Sequence, residues 1–206
     1  MRSRFACLLV IAGLAFWPDV AHLGSFPRAA SASTVIELSL ADLVRLSTVA
    51  AIGAPVEQTS VWEDLEGDRG RRIVTYTRVE VEQVVFGPTP PQRQLWVRTL
   101  GGQVGDIGQH VDGEAILVPA QSSLMFLFAR DDGTHSLVGM AQGHFPLIAA
   151  RSGDKPRIFL SPSVGRLVPR LGGSPGAPAP ARAALDGKTL DEAVGLIRAA
   201  WRNRAR

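Results

Sequence analysis

The chain has 206 residues, a formal charge of +3, 46% hydrophobic residues and one cysteine, Cys7. That length supports one ordinary hydrophobic core, and a lone cysteine excludes a disulfide framework, a cysteine zinc site and a two-thiol redox centre. The charge is unevenly spread: residues 33–150 carry 8 arginines against 14 acids, or −6, while residues 151–206 carry 11 lysines and arginines against 4 acids, or +7.

Arg2 and Arg4 precede the apolar run from Phe5 to Trp17, and Ala30-Ser31-Ala32 follows. A charged start, an apolar stretch and a small-residue exit form the pattern of a secretory signal, with cleavage expected near Ala32. The run stops at Pro18-Asp19 after 13 residues, short of the roughly 20 needed to span a bilayer. Cys7 begins the run instead of ending it, so it does not read as a lipid-attachment site. The expected product is an exported protein, periplasmic or extracellular, starting near Ser33 and free of cysteine. Lys155 and Lys188 are its only lysines, a bias that points to a bacterial envelope protein from a GC-rich genome. In that compartment nucleic acid is not the expected partner of the basic segment; solvation, or packing against the acidic body, is.

Ser39 and Asp42 are spaced as a capping box ahead of Leu40, Leu43, Val44 and Leu46, which predicts a short helix over 39–47. Thr48 to Trp62 reads as a strand, with Pro55 marking an edge or a bulge, and Glu63 to Asp68 reads as a loop. Ile73 to Phe86 is the clearest strand. Ile73, Thr75, Thr77, Val79, Val81 and Val85 share one face and Arg78, Glu80 and Glu82 the other, while Val84 and Phe86 break the alternation near Gln83. Gly87 to Gln92 is a proline-rich connection. Leu95 to Leu100 is a third strand, with Trp96 available for packing. Ser123 to Ala129 is apolar on both faces, as in a buried central strand, and Asp132-Gly133 signals a hairpin into His135 to Met140. Phe145 to Ala149 and Ile158 to Leu160 extend the sheet. Residues 171–188 read as a Gly/Pro/Ala-rich linker, and Thr189 with Glu192 caps a basic C-terminal helix over 189–206. Residues 33–170 are therefore expected to form one mostly β domain, a small antiparallel OB-like barrel with the short helix at its start, followed by the linker and the C-terminal helix.

The short helix, the first strand and then Tyr76-Thr77-Arg78-Val79-Glu80-Val81-Glu82-Gln83-Val84-Val85-Phe86-Gly87 resemble the front half of netrin-like domains, which include the tissue inhibitors of metalloproteinases. The resemblance implies a five-stranded barrel of the oligonucleotide/oligosaccharide-binding (OB) type. Those inhibitors chelate the protease zinc through an N-terminal cysteine. The chain expected here begins near Ser33 and has none, so only a protease regulator acting by another mechanism is implied. Leu100-Gly101-Gly102-Gln103-Val104-Gly105 and His110-Val111-Asp112-Gly113 ahead of Leu124 to Phe128 also resemble uncharacterised exported bacterial proteins. In that group a Gly-Glu pair precedes the apolar strand; Ser122-Ser123 stands here.

Gly101 to Gly113 holds five glycines with Asp106, His110 and Asp112. It reads as a structural loop ahead of a binding loop, and lacks the residues of a phosphate-cradling loop. His110, Asp112 and His144 are the candidate ligands of a two-histidine, one-carboxylate metal site suited to hydrolysis, without the helical spacing that would make the set specific. No G-x-S-x-G turn is present, and Ser163 sits in ordinary loop sequence. Asp131-Asp132 reads as turn chemistry, and Glu80, Glu82 and Arg78 as a solvated face. Arg198, Arg202, Arg204 and Arg206 complement the dipole of the last helix; weak contact with an anionic membrane surface is their functional alternative. No catalytic residue, cofactor or metal is assigned. The leading expectation is a non-enzymatic exported module that binds an envelope protein or glycan. A metal-dependent hydrolase and a netrin-like protease regulator are the alternatives.

Overall fold

Backbone strand β1 (Val35–Ile36) leads to helix α1 (Leu40–Leu46), which starts as its sequence predicts. Asp42 N–H donates to Ser39 Oγ at 3.1 Å and Ser39 N–H to Asp42 Oδ2 at 3.2 Å, satisfying donors that a helix start leaves open. This is a computed structural model, and it describes residues 35–64, 70–149, 153–164, 167–168 and 179–204. The expected signal at 1–32, the start near Ser33 and most of the expected linker lie outside the described residues.

Two long strands, β2 (Val49–Asp64) and β3 (Arg71–Phe86), pair antiparallel. Val85 and Glu82 on β3, and Val56 on β2, have no opposite residue, so the pair is bulged in three places. The break in alternation near Gln83 and the irregularity at Pro55 both fall at these bulges. At Gly53 a β-carbon would collide with the Glu80 carbonyl, so glycine permits the close approach that a bulge creates. The chain continues through β4 (Gln94–Leu100), a small hairpin of β5 (Gly102–Val104) and β6 (Ile107–Gln109), then β7 (Ser123–Ala129), β8 (His135–Leu137), β9 (His144–Ile148), β10 (Arg157–Ile158) and β11 (Leu167–Val168). Helices α2 (Ala181–Leu185) and α3 (Leu190–Asn203) end it.

The main sheet has the order β10-β9-β7-β2-β3-β4-β8, and β8 also pairs with β7. The contact of β8 with β4 is a single parallel pair, Val97 with His135, so the sheet is not a closed barrel along its length. The fold is mostly β with a helix near each end, as expected, but not wholly antiparallel. β8 is shorter than the expected 135–140 because the chain leaves the sheet for a 3-10 turn at Met140–Gly143.

Adjacent residues of β2 and β7 serve different cores. Val49, Ala51, Met125 and Leu127 join Val79, Val81, Leu95, Val97 and Leu137 on one side. Ala50, Ile52, Leu124 and Phe126 join Val85, Phe86, Phe145 and the helices on the other. That is why β7 is apolar on both faces. On β4, Leu95 and Val97 are buried while Trp96 is 39% exposed, so the tryptophan faces outward and not into the core.

The segment expected as a free linker corrects most. Ala181 and Leu185 are buried in the helical core, and Ala181 N–H donates to the Leu38 carbonyl at 2.8 Å. Arg182 pairs with the buried Glu37 at 2.5 Å, tying α2 to the start of the domain. Helix α3 has the predicted Thr189/Glu192 capping box and lies against the body. Ile197 is fully buried, and Trp201 stacks on Phe86 with centroids 4.0 Å apart at 17°. Its apolar side is therefore occupied within the chain; Arg198 reaches back to the Val85 carbonyl, and Arg202 faces solvent.

Ile197→Ala should lower the unfolding free energy by about 3 kcal/mol, the range of a buried isoleucine truncated in a packed core. Urea denaturation measures it. A loss below about 0.5 kcal/mol, as for a surface change, would mean that α3 is not part of the core.

Candidate functional site

The inner face of β3 is apolar at Val79 and Val81 and turns polar toward Arg71 at Thr77 and Thr75. Gln58 and Ser60 lie opposite on β2, and Thr99 opposite Thr75 on β4. Hydrogen bonds hold these groups in place. Ser60 Oγ and Thr75 Oγ1 are 2.9 Å apart, and Thr75 Oγ1 donates to the Gly101 carbonyl at 2.7 Å. Gln58 Nε2 donates to the Leu117 carbonyl at 2.6 Å. Ile73 N–H donates to Gln109 Oε1 at 2.7 Å, which leaves the other end of the Gln109 amide without a hydrogen bond among the described residues.

Just after β4 the chain folds back as the β5–β6 hairpin, over this polar end. Gly102 has φ +130°, and a β-carbon there would collide with Thr75 Oγ1 and Ser60 Oγ. Glycine is the residue that fits both the dihedral and the space. The hairpin and the following loop border a half-open cavity of about 630 Å³, whose polar side is Gln58, Ser60, Thr75, Thr99, Gln109 and Glu114 and whose other wall is apolar at Val111, Ile116 and Leu117. This size is in the ordinary range for small-ligand sites, roughly 300–1,000 Å³.

Glu114 is the most buried charged group of the site, at 9% exposure. Its Oε2 accepts from Leu100 N–H at 3.2 Å and its Oε1 from Ala115 N–H at 3.1 Å. Burial pushes its carboxyl above the ordinary value; the two backbone N–H groups and the charge of Arg98 oppose the shift without cancelling it. The cavity lining includes no lysine or arginine among the described residues.

The three candidate metal ligands do not converge. His110 Nε2 lies 3.3 Å from Asp112 Oδ1, both well exposed. His144 is on β9 at 2% exposure, with neither ring nitrogen hydrogen-bonded. Among the described residues no group of three His, Cys, Asp or Glu side chains is placed to hold a metal ion. Gly101 to Gly113 is an ordered hairpin and turn, not an irregular connection. Asp132 caps its turn, its Oδ1 accepting from Thr134 N–H at 2.9 Å and from Thr134 Oγ1 at 2.6 Å, and these bonds hold its pKa at about 2. Arg78 pairs with Glu57 at 2.9 Å, and Glu82 accepts a hydrogen bond from Ser122. Ser163 lies in a single 3-10 turn, Pro162–Val164.

Sequence reasoning passed over two groups. Glu114 precedes the short apolar run Ala115 to Val118, and a carboxylate against such a run is the available signal. The second group is on the outer sheet face, where Arg98 donates to Glu63 Oε2 at 2.6 Å and Tyr76 donates to Glu63 Oε1. Burial pushes Glu63 up, but the bonds from Arg98 and Tyr76 and the Arg98 charge outweigh it and hold the carboxyl below its ordinary value.

Burial lowers His144 from 6.5 to about 4. The unfolded chain then binds the extra proton first, so this contribution to stability is complete above about pH 6.5 and is lost as pH falls toward about 4. It amounts to about 3 kcal/mol. Glu114 acts in the opposite sense, because its raised pKa favours the folded state as acid is added. His144→Leu should therefore lose less stability than the parent between pH 7 and pH 5, measured by urea denaturation at each pH. Parallel pH profiles would contradict the burial of a neutral imidazole. No family model and no curated protein matches this chain, so its site is read from its own geometry.

Proposed function

We propose that this chain is an exported, non-enzymatic binding module of the bacterial envelope, built on an OB-like barrel, that holds a hydroxyl-rich ligand in the cavity beneath the β5–β6 hairpin. A glycan segment is the ligand class. The observation that carries the reading is the cavity lining: hydroxyls, side-chain amides and one carboxylate, fixed by mutual and backbone hydrogen bonds and set beside an apolar wall of Leu100, Val111, Ile116 and Leu117. Such groups offer donors and acceptors in set directions to a polyol. Among the described residues, the lining contains neither cysteine nor lysine, and no serine in it is paired with a histidine.

The barrel reading draws support from the pairing order. Taking β2, β3, β4, β7 and β8 as strands one to five, the pairs run one-two-three-five-four and back to one, with the third and fifth parallel. A five-stranded, partly open barrel whose faces and loops take oligosaccharides or oligonucleotides fits that order. Charge separates the two ligands. Phosphate backbones are held by lysine and arginine, whereas residues 33–150 sum to −6. The netrin-like resemblance then concerns architecture alone, and the protease-regulator reading gains no support from the described residues.

Titration of the mature protein from Ser33 against oligosaccharides of the bacterial cell wall tests this. Saturable binding is expected, weakened about thirtyfold by Ser60→Ala combined with Thr75→Val, which removes two lining hydroxyls, each hydrogen bond contributing about 1 kcal/mol. Absence of binding to any oligosaccharide, or binding unchanged in the double variant, would contradict the reading.

A further inference from the structure

Glu114 is short of positive charge. It is nine-tenths buried, yet its partners are two backbone N–H groups, one on each oxygen. Each carboxylate oxygen has a second acceptor direction, and a buried carboxylate without a counter-ion is costly. Arg98 on β4 acts on Glu114 by charge alone and forms no ion pair with it, because its guanidinium is held by Glu63 at 2.6 Å on the outer sheet face. His110, the other ionisable group of the lining, lies at the edge against Asp112. Among the described lining residues, then, none supplies a cation to Glu114, and the surrounding domain is itself acidic.

We infer that the ligand supplies the missing cation: the cavity takes a saccharide bearing a protonated amino group, which pairs with the Glu114 carboxylate while the sugar hydroxyls meet Ser60, Thr75 and the free end of the Gln109 amide. This rests on the glycan reading above and narrows it to amino sugars with a free amine. The same geometry disfavours two neighbouring classes. An acidic sugar would bring its carboxylate toward Glu114 with no lysine or arginine in the lining to offset the repulsion. An N-acetylated sugar carries no charge and offers one amide N–H, a weaker partner for a carboxylate than an ammonium group. The burial that raises the Glu114 pKa also lowers the local dielectric on its side of the pair, which strengthens attraction to an ammonium group.

Titration calorimetry of the mature protein with three β-1,4-linked trisaccharides, of glucosamine, N-acetylglucosamine and glucose, tests the inference. The glucosamine form should bind about ten- to hundredfold more tightly than either neutral form, the range for a charge-assisted bond. Glu114→Gln should bring the three to within about twofold of one another by losing affinity for the amine alone. Because the ranking on the unmodified protein needs no variant, it decides the matter even if Glu114→Gln fails to fold. Equal binding of the three sugars, or an amine preference that survives Glu114→Gln, overturns the pairing with Glu114 and leaves the glycan reading intact. No binding of any of the three, nor of other wall oligosaccharides, overturns both.

Discussion

Val49 to Gly53 of β2 pair with Ser123 to Leu127 of β7, and this short ladder has to be apolar on both faces. One face closes the core within the sheet, and the other receives α1, α2 and α3. Burial on both sides fixes strand register strongly, because a slip by one residue would exchange the two sets of side chains. The ladder also sets where apolar packing ends. Farther along β2 and β3 the inner face passes from Val81 and Val79 to Thr77 and Thr75, and the polar cavity begins where the doubly buried strand no longer covers it. The site is a consequence of that boundary.

The helices complete the second core and are not appendages. Phe86 lies at the end of β3, beyond the bulge at Val85, and stacks on Trp201 from the last helix. Arg198 Nε donates to the Val85 carbonyl at 3.3 Å, so the bulged backbone is held by the same helix. Glu37 with Arg182, and the Leu38 carbonyl with Ala181 N–H, bring the first and last described segments together. The acidic body and the basic tail region thus meet partly as packing partners, which accounts for some of the charge asymmetry without an external anion.

What the sequence made legible was local. The Ser39/Asp42 and Thr189/Glu192 boxes announce helix starts because both halves of each box lie within one turn. The period of two in β3 and the Asp132-Gly133 turn are likewise carried by neighbouring residues. What stayed hidden depends on distant contacts. Trp96 looks like a core residue until its neighbours on β4 are seen to face inward. The Gly/Pro/Ala composition before Thr189 masked Ala181 and Leu185, whose burial is decided by α1 and the start of the domain. Glu114 gave only the sign of a carboxylate before an apolar run, since its burial is decided by packing against the end of β4, distant in sequence. His110, Asp112 and His144 failed as a set for the same reason: the topology buries one and leaves two on the exposed surface.

The central claim is that the polar end of the sheet, under the β5–β6 hairpin, is where a ligand is held. Amide chemical-shift mapping by NMR, with a cell-wall oligosaccharide added to the protein from Ser33 onward, tests it most directly. The account predicts perturbations grouped at Ser60, Thr75, Thr99, Gln109 and Glu114, saturating together. Perturbations grouped instead around Trp96 and Arg98 on the outer face, or along α3, would place recognition elsewhere and contradict it.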